Sequence, residues 1–351
     1  MSGELKSVLE DGPIDGEPLV SVCVITYNHG KYIRQCLDGI LMQKVNFPYE
    51  ILIHDDASPD DTADIIREYW AKYPTVIKPI LQTENQYSQG RAASKFNFDR
   101  AKAKYIALCE GDDYWTDERK LQMQVDFLEE HKEYSATSHS FQIVNKNSEE
   151  IKQATELGKV SGVFTIDDIK YYRLPGQTAT LVYRNIFNQM NNEIKDEYYA
   201  CAGYGDQKLA VLLTLYGDIW MFQNIMSAYR YVTTEGTSYS SLTKNSNLYA
   251  GNYKHLIEIS NFSKRRYNID INTEIVALCV VLMAIKRCMT YPSSENRLVL
   301  SQINSTTKSN RDYFVSMIKK ILKKPILTIS IMRTIYKERS NIRKTLKYTG
   351  C

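Results

Sequence analysis

The sequence predicts an α/β domain, a Rossmann-like mixed and mostly parallel sheet flanked by helices, followed by a helical C-terminal region. Three observations predict it. Short apolar runs rich in β-branched residues recur through the first 110 residues, as strands buried on both faces require. Helical stretches alternate with them across short loops, the pattern of a doubly wound parallel sheet. Three of the runs end in clustered polar residues, and in such sheets ligands bind beyond the carboxyl ends of the strands.

Taken in order, residues 1–18 read as a flexible, acidic leader that lacks the charged-then-apolar pattern of a signal peptide. Residues 19–25 (LVSVCVI) form the first strand, and Thr26-Tyr27-Asn28-His29-Gly30 its turn. Ile33, Cys36, Leu37, Ile40 and Leu41 then repeat at helical spacing. Residues 49–54 (YEILIH) are a second strand that runs into Asp55-Asp56-Ala57-Ser58-Pro59-Asp60-Asp61-Thr62. Ile65, Ile66, Tyr69 and Trp70 mark the next helix, with Pro74 after it. Residues 76–81 give a third strand, 94–103 a helix, and 105–109 (YIALC) a fourth strand leading into Glu110-Gly111-Asp112-Asp113-Tyr114-Trp115. Beyond it, Leu121, Val125 and Leu128 stripe a helix, and residues 141–144 and 180–184 read as strands, with 145–165 a polar excursion. Gly205-Asp206-Gln207 opens a helix to Leu215, residues 217–222 form a strand, and Ser227-Ala228-Tyr229-Arg230-Tyr231 follows. A polar link over 233–252 precedes the C-terminal region, where the apolar run 275–285 is most simply a buried helix.

Composition narrows the function classes. With 351 residues, 43% apolar and 24% charged, the chain resembles an ordinary globular protein with room for a real core. From residue 311 onward there are 11 Lys and Arg against 2 acids; that surplus of nine, against a total of +3, leaves the first 310 residues at −6. A net negative body is a poor footprint for nucleic acid, and none is expected as a partner. Seven cysteines without a CxxC pair read as reduced core thiols of a cytoplasmic protein. The five histidines form no HExxH or Cys/His cluster, so no structural zinc is expected. The longest uncharged apolar run has 11 residues, about half of what a membrane span needs.

The chemistry concentrates in Glu110-Gly111-Asp112-Asp113. Three carboxylates in four positions raise one another's pKa unless a cation sits among them. Mg²⁺ is commonly held by one or two carboxylates together with substrate phosphates. One reading is a seat for a metal-bound diphosphate; the other is an Asp-rich turn that caps the next helix. The polar ends Thr26/Tyr27/Asn28 and Asp55/Asp56/Ser58 would lie on the same sheet edge and favour the first.

The runs VSVCVITYNHGKYIRQCLDGIL, EILIHDDASPDDT and KYIALCEGDDYW resemble the nucleotide-sugar-binding half of the family 2 glycosyltransferases, which adopt the GT-A fold. GYGDQKLAVLLTLYGDIW and AYRY resemble the acceptor half of the branch that builds bacterial surface polysaccharides such as capsule or lipopolysaccharide. The resemblance covers about residues 19–240. It implies a nucleotide-sugar-binding half over 19–115 and an acceptor half over 116–240; the residues beyond, 241–351, read as a helical, basic region. It implies that Thr26 and Asn28 lie against the nucleoside with Tyr27 near the base, and that Asp56 or Asp55 accepts from the base. Glu110-Gly111-Asp112 takes the D-x-D position. Asp112, with Asp113 beside it, becomes the ligand of Mg²⁺ or Mn²⁺, and Asp206 the catalytic base. Two departures stand out: the first acid is Glu110, and the pattern Tyr-Arg-x-His appears as Tyr229-Arg230-Tyr231-Val232, without its histidine.

The implied reaction moves one sugar, with a UDP-sugar favoured, from its nucleoside diphosphate to a hydroxyl of a growing glycan or lipid-linked saccharide. One base opposite the leaving group gives inversion. Bland alternatives stand beside these roles. Asp206 also suits a helix start, and Asp55, Asp56, Ser58 and Asp60 an Asx turn with a cap. Arg91 and Lys95 suit either a phosphate or a solvated surface. Trp115 fits a core position better than a sugar-stacking one, and His54 a hydrogen-bonded strand end. Two other functions remain open: a sugar-nucleotide nucleotidyltransferase, disfavoured because TYNHGKY has one Gly and one Lys, and a catalytically silent nucleotide-sugar-binding scaffold. The basic tail, with Lys319, Lys320, Lys323 and Lys324 among apolar residues, suits an anionic membrane at the cytoplasmic face or a packed appendage equally.

Overall fold

A computed structural model describes residues 4–169, 173–201, 203, 205–232 and 249–271. The expectations for 275–285 and for the basic tail lie outside the described residues, as does most of the 233–252 link.

Strands β1 (Val20–Thr26), β2 (Tyr49–Asp55), β3 (Ile77–Leu81) and β4 (Tyr105–Glu110) pair in parallel in the order β3-β2-β1-β4. Their register aligns Thr26 with Asp55 and Ile25 with Glu110. All three polar strand ends therefore fall on one edge, as the alternation of strands and helices requires. After the short helix α1 (Val8–Asp11), helices α2 (Ile33–Leu41), α3 (Thr62–Lys72) and α4 (Ala93–Arg100) connect these strands. Helix α2 buries Ile33, Cys36, Leu37, Ile40 and Leu41 completely. Each large aliphatic side chain among them contributes about 1.5–3 kcal/mol. Gly39 lets this helix lie on the segment after β4, since a Cβ there would sit 2.8 Å from the Trp115 carbonyl oxygen.

The second half extends the same sheet. In chain order it contains β5 (Tyr114–Trp115), α5 (Lys120–Glu130), β6 (Tyr134–Val144), α6 (Lys152–Thr155), β7 (Gly162–Phe164), α7 (Ile166–Ile169), β8 (Val182–Arg184), α8 (Asn192–Ala200), α9 (Gly205–Thr214) and β9 (Asp218–Arg230). Strand β8 runs antiparallel to both β4 and β6, β9 runs parallel to β6, and β5 and β7 run antiparallel to β9. The sheet order is β3-β2-β1-β4-β8-β6-β9-β5, a mixed and mostly parallel sheet.

Three expectations change. Residues 4–18 are not a loose leader: Lys6 bridges Val45, the Ser7 hydroxyl caps α1, and Val8 is 5% exposed in the core. The strand expected at 141–144 begins at Tyr134, and the segments at 217–222 and 227–231 are one 13-residue strand, β9. The pairing of β6 with β9 extends both strands by pairing their backbone N–H and C=O groups, while the β6 hydroxyls find other partners, Ser138 and Ser140 donating to the carbonyls of Pro175 and Val160. Inside the polar excursion, β7 pairs with β9.

By contacts the chain forms two compact units. The first comprises Met1–Ile166, Leu174–Ala200 and Gly205–Val232 and contains the sheet. The second comprises Asp167–Arg173, Cys201–Tyr204 and Thr233–Cys351. Its described part includes α10 (Tyr249–Tyr267), whose end is fastened where Ser260 and Ser263 donate to the carbonyls of Ile271 and Ile269.

Candidate active site

Strand β1 delivers Thr26, 4% exposed, to the sheet edge. The loop after it turns through Asn28, whose φ of 59° suits Asn better than a β-branched residue. This loop is laced to the one after β2. The backbone N–H of Asn28 donates to Ser58 Oγ at 2.9 Å, that of His29 to Thr62 Oγ1 at 2.9 Å, and that of Gly30 to Asp60 Oδ2 at 2.8 Å. Asp60 thus does the turn and capping work read from its position. Tyr27 is 39% exposed at the tip.

Asp55 and Asp56 are nearly fully buried. Asp55 accepts from the Ser58 hydroxyl and from the Ser58 N–H at 3.2 Å, and burial outweighs these bonds, so that its pKa is raised. Asp56 accepts from the N–H groups of Gln86 and Tyr87, at 2.7 and 3.0 Å. Gln86 Oε1 in turn accepts from Arg91 Nη1 at 2.8 Å. Arg91 is exposed and reaches the edge only through this chain of contacts. His54 is buried, stacked on Phe96 with ring centroids 4.6 Å apart, and is structural.

The turn after β4 is the centre of the site. A Cβ on Gly111 would lie 2.5 Å from Thr26 Oγ1 and 3.0 Å from His29 Nδ1, so only glycine lets the first loop press on the acidic turn. Asp112 is part-exposed, with Oδ2 3.7 Å from His29 Nε2. Asp113 is 1% exposed, and its Oδ1 accepts from the Arg230 N–H at 2.8 Å, while Oδ2 accepts from Gln177 Nε2 at 2.7 Å. The same Gln177 amide donates to Glu110 Oε2 at 3.2 Å. Burial, then the charges of Asp112 and Asp206, push Glu110 up to about 8. Burial, Asp112 and Glu110 likewise raise Asp113. That Asp206 acts on Glu110 places the two candidate acids in one electrostatic field. Asp206 sits in the first turn of α9, its Oδ1 accepting from the Gln207 N–H at 2.8 Å, and burial raises its pKa.

Sequence reasoning missed two organisers of this turn. Gln177 holds Glu110 and Asp113 together and orients itself by accepting from the Ala179 N–H at 2.7 Å; its only signal was the turn-forming Pro-Gly before it. Arg230, noted only within a pattern, is 3% exposed. It donates to the carbonyls of Asp112, Asn145 and Lys146, to Ser148 Oγ and to Gln35 Oε1, and its guanidinium lies 4.2 Å from the Tyr32 ring centroid. Trp115 is a core residue, donating to the Ala179 carbonyl at 3.0 Å, with Lys120 Nζ 4.0 Å over its ring.

The residues fit a divalent ion shared with a substrate phosphate. Gly111 lets Thr26 and His29 close on the acidic turn, and the acids of that turn repel one another. Among the described residues no three His, Cys, Asp or Glu side chains converge to hold a metal by themselves. An ion shared with phosphates needs one or two protein ligands. Asp112 presents its carboxylate at this edge, whereas both oxygens of Asp113 already accept from the protein.

Comparison with known proteins agrees with this architecture. An uncharacterized protein of Mycobacterium tuberculosis is 44% identical over 125 residues, 36% of each chain. TuaG of Bacillus subtilis, provisionally named a teichuronic acid biosynthesis glycosyltransferase, is 34% identical over 114 residues, 32% of this chain and 43% of that protein. These matches span less than half of either relative's length. The crystal structure of S. aureus TarS 1-349 in complex with UDP-GlcNAc superposes with a TM-score of 0.50 at 20% identity, over 76% of this chain and 78% of that one. It shows the same GT-A-type fold. Residues 21–207, more than half of the chain, match the sequence profile of Glycosyl transferase family 2, and the chain belongs to that family.

Proposed function

We propose that the protein is an inverting glycosyltransferase that moves one sugar from a nucleoside-diphosphate sugar to a hydroxyl of a growing glycan or lipid-linked saccharide, in surface-polysaccharide synthesis. The observation that carries the proposal is the acidic turn after β4, where Asp112 presents its carboxylate beside the buried Glu110, a group on which the charge of Asp206 from a distant segment also acts. The name of TuaG supports the polysaccharide setting, and the UDP-GlcNAc bound by TarS makes a UDP-sugar the first donor to test.

Thr26, Tyr27 and Asn28 line the nucleoside, with Asp55, Asp56 and the Gln86–Arg91 contact behind the base. Asp112 holds Mg²⁺ or Mn²⁺, with Asp113 as the strut beneath it and Glu110 beside it. A divalent ion bound there neutralises charge developing on the diphosphate. Asp206 Oδ2 takes the acceptor proton; its raised pKa suits a base, and attack opposite the diphosphate inverts the anomeric carbon.

A donor panel of UDP-, GDP-, dTDP- and CMP-sugars with Mg²⁺ or Mn²⁺, assayed for nucleotide release, tests the reading. Turnover with one donor class is expected. Folded protein that binds a nucleotide sugar without hydrolysis or transfer would make it a binding scaffold instead. Release of pyrophosphate from a nucleoside triphosphate and a sugar phosphate would make it a nucleotidyltransferase.

A further inference from the structure

Among the described residues His29 is the imidazole that faces the acidic turn after β4. Its side chain is 19% exposed and that of Asp112 21%. The ring is held from two sides. Thr26 Oγ1 lies 3.2 Å from Nδ1, and the absent Cβ of Gly111 leaves the space into which Nδ1 packs. Nε2 faces Asp112 Oδ2 at 3.7 Å, too far for a hydrogen bond. Two donors that bind one ion at about 2.1 Å each lie roughly 3.0 Å apart at adjacent positions and no more than about 4.2 Å apart. The observed separation falls inside that interval.

We infer that His29 is a metal ligand, binding a divalent ion through Nε2 together with the Asp112 carboxylate. Thr26 is then the outer partner that orients it. With Nε2 on the ion the ring proton sits on Nδ1, where Thr26 Oγ1 accepts it and holds the orientation of the ring, as the outer partners of metal-bound histidines commonly do. Gly111 keeps the imidazole and the carboxylate in reach of each other. The chain carries Val232 where the resemblance expects a late histidine. In this arrangement the imidazole comes instead from the loop after β1. The inference rests on the glycosyl-transfer reading for the presence of the ion, while its geometry belongs to this chain.

The probe is Mn²⁺ on the full chain, alone and with UDP, GDP or dTDP, read by pulsed electron paramagnetic resonance with ¹⁴N-histidine and ¹⁵N-histidine protein. The expected result is an imidazole-nitrogen coupling that changes isotope with the label and disappears in His29→Asn. The Mn²⁺ dissociation constant should rise at least tenfold in that variant. Thr26→Val, which keeps the shape of the side chain but loses Oγ1, should weaken Mn²⁺ less, and Thr26→Ser should restore it. Far-ultraviolet circular dichroism and thermal unfolding check that each variant folds, and His29→Gln serves if the Asn variant does not. Failure to retain Mn²⁺ under any condition, bound Mn²⁺ without imidazole coupling, or coupling that survives in the His29 variant would each overturn the inference. Unchanged Mn²⁺ affinity with weakened nucleotide binding would overturn it too, and would make His29 a diphosphate contact. Absence of turnover in the donor panel tests the transfer reading separately and leaves the Mn²⁺ signal standing.

Discussion

Residues 19–115 and 116–232 hold their site residues in opposite ways. In the first half, Thr26, Asp55 and Glu110 stand at the ends of adjacent parallel strands, and each loop is fastened to its neighbour by side-chain-to-backbone bonds such as Ser58 to Asn28 and Thr62 to His29. In the second half, Gln177 and Arg230 reach the acidic turn from 64 and 117 residues away in sequence. Asp206 meets Glu110 through electrostatics across a comparable gap. The first half is a shelf built from the ends of parallel strands. The second is a clamp assembled by long-range pairing of β6, β8 and β9.

That contrast can be broken from either side. The largest effect is expected for Asp206→Asn, which removes the proposed base while leaving the shelf intact. Transfer should fall by about 10²–10⁴-fold, with nucleotide affinity nearly unchanged; a matching loss of nucleotide binding would show that Asp206 belongs to the shelf. Next comes Arg230→Met. It strips donors from the Asp112 and Asn145 carbonyls and from Gln35, and should cost about 3 kcal/mol in urea unfolding. Arg230→Lys should recover only part, because an ammonium cannot reproduce the planar fork that serves three segments at once. A Gln177→Leu variant should lose about 1–3 kcal/mol, the penalty of leaving Asp113 Oδ2 without its donor. If Mg²⁺ or Mn²⁺ restores more thermal stability to this variant than to the parent, the amide and the ion share the task of separating the acids.

The smallest effect should appear at Lys120, a buried amine in the second half with Gln124 Oε1 as acceptor at 2.9 Å. Burial pushes its pKa down to about 7. Between about pH 7 and its ordinary value of 10.5 the unfolded chain therefore binds the extra proton, so stability should rise with pH across that window. Lys120→Met should raise the melting temperature at pH 7 by a few degrees and flatten that slope. A variant less stable than the parent at pH 7 would mean that the Trp115 and Gln124 contacts outweigh the desolvation cost.

The apolar β-branched runs and the 3.6-residue stripes determined by themselves that β1 to β4 and α2 to α5 exist, and their alternation determined a parallel sheet. Chain polarity then forced the strand ends carrying Thr26, Asp55 and Glu110 onto one edge. Burial of Trp115 and His54 was legible for the same reason, since each adjoins an apolar strand. The full extents of β6 and β9 were not legible, because their backbone pairs only between segments some 80 residues apart and the β6 hydroxyls donate to carbonyls such as those of Pro175 and Val160. Nor could spacing reveal that Asp113 is spent on Gln177 and Arg230 while Asp112 faces His29. Neighbouring carboxylates of identical chemistry acquire different roles only from what surrounds each one: Asp113 takes its partners from the other half of the sheet, and Asp112 meets an imidazole from its own half.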